Sequence, residues 1–199
     1  YDHYLSQIDE LEAEFRLQNI VGASLGGMIS QEMTLNYSSR VQTLTILMST
    51  PGFDTPGLSG PTEAFRNSIK DSFLLNMLDR QEEALTISEK ALTGTRYPFD
   101  AEKFKQEVKK RIKQGINTSN AQMMAVGASP NRAGRLHEID KPTLIIHGTD
   151  DPLIPLDHGI FLFDNIQNSR KLILSGVGHE IPNESLEEII PAMIKNFNF

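Results

Sequence analysis

The chain reads as an α/β protein: a mostly parallel sheet with helices on both faces and a helical cap inserted between two strands. Three observations carry that reading. Short apolar, β-rich runs alternate with segments of helical periodicity, the pattern of strand–helix–strand units and of parallel pairing. One junction, Gly22-Ala23-Ser24-Leu25-Gly26-Gly27, has the composition of a tight turn between a strand and a helix. Between residues 62 and 129 the strand signals stop and only helical patterns continue.

Residues 5–15 place Ile8, Leu11 and Phe15 at helical spacing. The apolar run 17–21 is a strand, and 28–35 is the helix that follows the glycine-rich turn. Residues 41–48 form a second buried strand, and 49–61 (STPGFDTPGLSGP) are loop because proline and glycine dominate. Stretches 62–78, 81–92, 100–116 and 118–126 each read as helix. In the third, Asp100 is a natural N-cap, and Phe104, Val108 and Ile112 form one apolar stripe. Its lysines at 103, 105, 109, 110 and 113 read as a solvated face, with an anion-binding surface as the competing reading. Strands return at 142–148 and 170–174, with a short helix at 155–163 between them. A last helix spans 184–197, with Pro191 expected to bend it. The expected organisation is core over 1–51, helical cap or lid over 52–130, and core again over 131–199.

With 199 residues, 39% of them hydrophobic, the chain can build one core. A net charge of −7 argues against nucleic acid or an anionic membrane as partner. The absence of cysteine rules out disulfides, thiolate metal sites and a cysteine nucleophile, and suits a reducing compartment such as the cytoplasm. No apolar run approaches the roughly 18 residues of a membrane span, and no signal peptide is visible. No H-E-x-x-H or paired-histidine spacing occurs. The glycine-rich turn lacks the lysine of a phosphate loop and does not fit G-x-G-x-x-G. No metal and no cofactor are therefore expected.

Three chemistry-bearing side chains follow three different strands. Ser24 follows the first, Asp151 follows the strand at 142–148, and His179 follows the strand at 170–174. In a parallel sheet those ends share one edge, which is where ligands bind in such folds. A serine hydroxyl is a weak nucleophile until a histidine takes its proton, and a carboxylate on the other ring nitrogen fixes that histidine's tautomer. The N–H of Leu25, opening a helix, is suited to meet a developing oxyanion. Both glycines flanking Ser24 are expected to be needed because a Cβ would clash where strand and helix converge.

Among five histidines, His179 is favoured, since Gly176 and Gly178 before it free the loop that carries it. His3 lies near the terminus, His137 in a polar stretch, His147 at a strand end and His158 in a helix. The acid is ambiguous by one residue. Asp151 is favoured because H-G-x-x-D-P puts it just before Pro152, which leaves Asp150 as a turn former; Asp54 is a more remote alternative. Phe73, Leu74, Met77, Met123 and Met124 are candidates to shape a pocket, or plain core.

The chain resembles α/β-hydrolase-fold serine hydrolases, in particular the subgroup typified by aclacinomycin methylesterase. The resemblance rests on Val21-Gly22-Ala23-Ser24-Leu25-Gly26-Gly27-Met28-Ile29, on 40–50, on Lys141 through Pro155 and on Gly176-Val177-Gly178-His179-Glu180-Ile181-Pro182. The order Ser, Asp, His is the order of that family. The resemblance implies Ser24 as nucleophile, Asp151 as acid, His179 as base and Leu25 N–H as one oxyanion donor. It implies hydrolysis of a small-molecule ester, without excluding C–C, amide or peptide bonds, perhydrolase or acyltransferase chemistry, or a non-catalytic binding module. Family members carry several strands ahead of the helix at residue 5, among them the loop giving the second oxyanion donor. The chain, which starts at Tyr1, is thus expected to be a fragment that self-associates or pairs with a missing N-terminal segment.

Overall fold

The structure is a computed structural model that describes residues 18–113 and 126–198. The expected helix at 5–15, almost all of that at 118–126, and His3, Met123 and Met124 lie outside the described residues.

Four strands, β1 (Gln18–Ala23), β2 (Val41–Leu47), β3 (Thr143–Gly148) and β4 (Ser169–Leu174), pair in parallel in the order β1-β2-β3-β4. The central pair is buried almost along its whole length because both of its faces are covered. On one face, Leu44 and Ile46 of β2 and Ile145 of β3 pack against Leu162 and Ile166. On the other, Leu47, Leu144, Ile146 and Leu174 pack with Ile189. Each such side chain taken out of water contributes about 1.5–3 kcal/mol. Helices α1 (Leu25–Asn36) and α5 (Leu156–Asn165) serve the first face, and α6 (Leu186–Phe197) serves the second. Asn196 of α6 also donates through Nδ2 to the Leu44 carbonyl at 3.0 Å, so the helix is tied to β2 by a buried polar contact.

Between β2 and β3 run α2 (Glu63–Met77), α3 (Gln81–Leu92) and α4 (Ala101–Lys113), with no strand among the described residues of that stretch. Asp100, the cap the sequence suggests, accepts through Oδ1 from Lys103 N at 3.0 Å, and Thr62, read as the first residue of its helix, is instead its cap, with Oγ1 accepting from Phe65 N at 3.2 Å. Phe104 and Val108 of α4 are buried, while Lys103, Lys109 and Lys110 are exposed.

Three local features differ from expectation. β2 stops at Leu47 because Met48 turns into the left-handed region at φ 39°. An unanticipated 3-10 segment, Ala133–Glu138, buries Leu136 against the core. The final helix begins at Leu186, because the preceding Asn183–Ser185 turn is 3-10, and it continues through Pro191.

Candidate active site

Ser24 sits alone between β1 and α1, at φ 52° and ψ −119°. A non-glycine residue there costs on the order of 1–3 kcal/mol, so the surroundings must impose it. Its N–H donates to Leu47 O at 2.9 Å, and its carbonyl accepts from Ser49 Oγ at 2.7 Å and Gly27 N at 2.9 Å. A Cβ on Gly22 would lie 2.2 Å from Gly26 O, and one on Gly27 would lie 2.5 Å from Ser49 Cβ. A Cβ on Gly26 would meet nothing within 4 Å. The steric need therefore falls on Gly22 and Gly27, which corrects the expectation that both glycines flanking the serine are required. Leu25 opens α1, so its N–H has no acceptor within the helix and lies at the positive end of the dipole.

The ends of β1, β3 and β4 bring Ser24, Asp151 and His179 into one hydrogen-bonded chain. His179 Nδ1 lies 2.8 Å from Asp151 Oδ2, and His179 Nε2 lies 2.9 Å from Ser24 Oγ. A carboxylate only accepts, so Nδ1 carries the proton and Nε2 faces the serine hydroxyl as acceptor. The other carboxylate oxygen, Oδ1, accepts from Leu153 N at 3.0 Å and Ile154 N at 2.8 Å. The Asp151 side chain is wholly buried and that of His179 is 8% exposed. Burial pushes the Asp151 carboxyl upward, but the N–H of His147 beside it and hydrogen bonds from His179 and Ile154 N–H outweigh it and hold it below the ordinary value.

His179 is set by packing as well as by its glycines. Gly176 adopts φ +72°, and a Cβ on Gly178 would lie 2.1 Å from Leu92 O. The His179 N–H donates to that same Leu92 carbonyl at 2.8 Å, so the end of α3 holds the histidine loop.

The alternatives fall elsewhere. Asp150 accepts from Thr95 and Thr149, and these bonds, Thr95's first, hold its carboxyl below the ordinary value. Asp54 accepts from Asn131 Nδ2 at 2.8 Å, and His137 is exposed. His158 is buried between Thr50 Oγ1 and Ser59 O, 2.8 Å from each, where it pins the 49–61 loop to α5. Phe73, Leu74 and Met77 are exposed on α2 at 63%, 57% and 71%.

A family model for the alpha/beta hydrolase fold matches residues 3–185. The chain belongs to the α/β-hydrolase fold family. Among curated proteins it is similar to a rhodomycin D methylesterase of Streptomyces sp. (strain C5), 26% identical over 191 residues, covering 85% of this chain and 63% of that protein. It is also similar to a 2-hydroxy-6-oxononadienedioate/2-hydroxy-6-oxononatrienedioate hydrolase of Escherichia coli O139:H28, 29% identical over 170 residues, covering 81% of this chain and 55% of that protein. The chain thus spans less than two thirds of the length of these relatives. An esterase from Exiguobacterium antarcticum superposes with a TM-score of 0.70 at 20% identity, over 98% of this chain and 72% of that one, which shows the shared fold.

Within this α/β-hydrolase chain, no group of three or more His, Asp and Glu among the described residues could hold a metal ion. No described helix is long and apolar enough to cross a membrane. His147, read from sequence only as a histidine at a strand end, lies near the site with Nε2 2.7 Å from the carbonyl of Ile154, seven residues further on.

Proposed function

We propose that the chain is a serine hydrolase that cleaves a carboxylic ester of a small molecule through an acyl-Ser24 intermediate. The observation that carries the reading is the hydrogen-bonded run from Ser24 Oγ through His179 to Asp151, set at a strained strand-to-helix turn. Ser24 Oγ attacks the ester carbonyl carbon while its proton passes to His179 Nε2. The carbonyl π pair moves onto oxygen, and Leu25 N–H meets the resulting oxyanion. When the oxyanion collapses, the C–O bond to the alcohol breaks and the leaving oxygen takes the proton from His179. Water then repeats the sequence on the acyl-enzyme and frees the acid. Asp151 stays ionised throughout and stabilises the imidazolium. No cofactor enters this chemistry.

The similarity to a methylesterase supports an ester as the bond. A second reading, hydrolysis of a C–C bond by the same three residues, gains support from the relatives named for 2-hydroxy-6-oxononadienedioate. A fluorophosphonate probe read by intact mass tests the shared chemistry: one adduct on the wild-type chain and none on Ser24→Ala are expected. Labelling that survives the substitution overturns the assignment. Turnover of p-nitrophenyl esters against a 2-hydroxy-6-oxo dienoate then separates the two bond classes.

A further inference from the structure

We propose that His147 is a positioning residue for the acid Asp151, an inference that rests on the serine-hydrolase reading. Its ring is wholly buried at the end of β3. Nε2 lies 2.7 Å from the Ile154 carbonyl and 3.5 Å from Asp151 Oδ2. A carbonyl only accepts, so Nε2 carries a proton and donates it to Ile154 O. Nδ1 has no hydrogen-bond partner among the described residues and rests on α5, where a Cβ on Gly159 would come within 2.6 Å of it. The imidazole is thus wedged so that its single N–H points into the acid turn.

That turn begins and ends on groups the ring touches. Asp151 Oδ1 is fixed by the Leu153 and Ile154 amides, and Ile154 O is fixed by His147. With both closed, rotation of the carboxylate away from His179 must break contacts at each end. Oδ2 sits in a dry site, where an ionised oxygen needs positive partners. The Nε2–H dipole at 3.5 Å supplies a second one beside His179 Nδ1. Loss of that N–H frees the Ile154 carbonyl and leaves Oδ2 with one positive neighbour. His179 is then less firmly held toward Ser24.

Two variants separate the N–H from the bulk of the ring. His147→Leu keeps an apolar body and removes the donor. His147→Gln carries an amide N–H that reaches the Nε2 position. The rate constant for fluorophosphonate labelling of Ser24 is measured on the full chain at neutral pH, with melting temperature alongside. Residues that orient a metal-ligating side chain cost about 10–100-fold in activity when removed, and a slowing of that order is expected for Leu, with Gln recovering most of it. The low-field proton resonance of His179 Nδ1–H, present in wild type and Gln, is expected to vanish or shift in Leu. If Leu does not fold, His147→Asn, whose shorter amide cannot reach Ile154 O, takes its place. A folded Leu variant that labels at the wild-type rate with an unchanged resonance overturns the proposal. So does a Gln variant as slow as Leu, which would reduce His147 to packing. Absence of labelling in wild type itself would instead count against the hydrolase reading, and the resonance would still decide whether His147 holds Asp151.

Discussion

At the scale of single residues, the site turns on which of two adjacent carboxylates faces the histidine. Asp151 is buried and gives Oδ2 to His179, whereas Asp150 spends both oxygens on Thr95 and Thr149. Asp151→Asn is expected to slow Ser24 labelling by about 10⁴-fold, the cost of turning a triad acid into its amide. Asp150→Asn keeps one oxygen to accept from Thr95 and lies outside the Ser24–His179–Asp151 run, so it should change the rate no more than about two- to threefold. Equal losses in the two variants would contradict this assignment. The same carboxylate makes a statement about acid stability. Its folded pKa is depressed, so its contribution is present above the unfolded value of about 3.9 and is lost as pH falls through the lower folded value. The stability advantage of wild type over Asp151→Asn should therefore be full near pH 5 and shrink below about pH 4. An advantage in urea unfolding that stays constant from pH 5 to 2 would show that folding does not depress the Asp151 pKa. That Asp151 rather than Asp150 lies beside His179 was legible in sequence, through the H-G-x-x-D-P pattern that ends at Pro152. The role of His147 was not, because a histidine at a strand end gives no sign of the carbonyl that folds back onto it.

At the scale of elements, the strand-to-helix turn stores strain that its neighbours offset. Gly22 meets the Gly26 carbonyl, Gly27 meets Ser49, and Gly26 meets open space. Gly22→Ala should therefore destabilise by about 1–3 kcal/mol or more, since a backbone oxygen cannot step aside as a side chain can. Gly26→Ala, inside α1, should be neutral or stabilise by up to about 1 kcal/mol. With about 2–4 °C per kcal/mol for a chain of this size, thermal melts of the two variants should diverge by several degrees. Indistinguishable melts would mean that the turn relaxes around either methyl. The elements themselves were legible for a simple reason. β2 and β3 are covered on both faces and so are rich in β-branched and apolar residues, while α4 between them carries an apolar stripe and a recognisable cap. Which glycine bears the close contact was hidden, because it depends on Ser49, twenty-two residues beyond Gly27 and one strand away. The end of β2 was hidden likewise, since nothing in the composition around Met48 announces its positive φ.

At the scale of the whole molecule, the helices between β2 and β3 are not a detachable addition, because the segment after α3 is part of the histidine loop's foundation. His179 N donates to Leu92 O at 2.8 Å, Arg96 N donates to Gly176 O at 2.8 Å, and Gly94 N donates to Glu180 Oε1 at 2.9 Å. Two glycines face each other at this junction. A Cβ on Gly94 would lie 2.3 Å from Gly176 O, and one on Gly178 would lie 2.1 Å from Leu92 O. This pairing joins residues more than eighty positions apart, and sequence offers no period or motif that relates them. The same contacts that seat residues 92–96 also set the backbone from which His179 reaches Ser24. Gly94→Ala tests this coupling from the far side of the junction, where no triad residue is touched. The added methyl must push back the 176–178 backbone, at a cost of about 1–3 kcal/mol. The expected result is a melt lowered by several degrees together with slower labelling of Ser24, because the His179 loop moves as one piece with Gly178. If Gly94→Ala lowers the melting temperature and leaves the labelling rate at the wild-type value, the helices support the core without positioning its histidine.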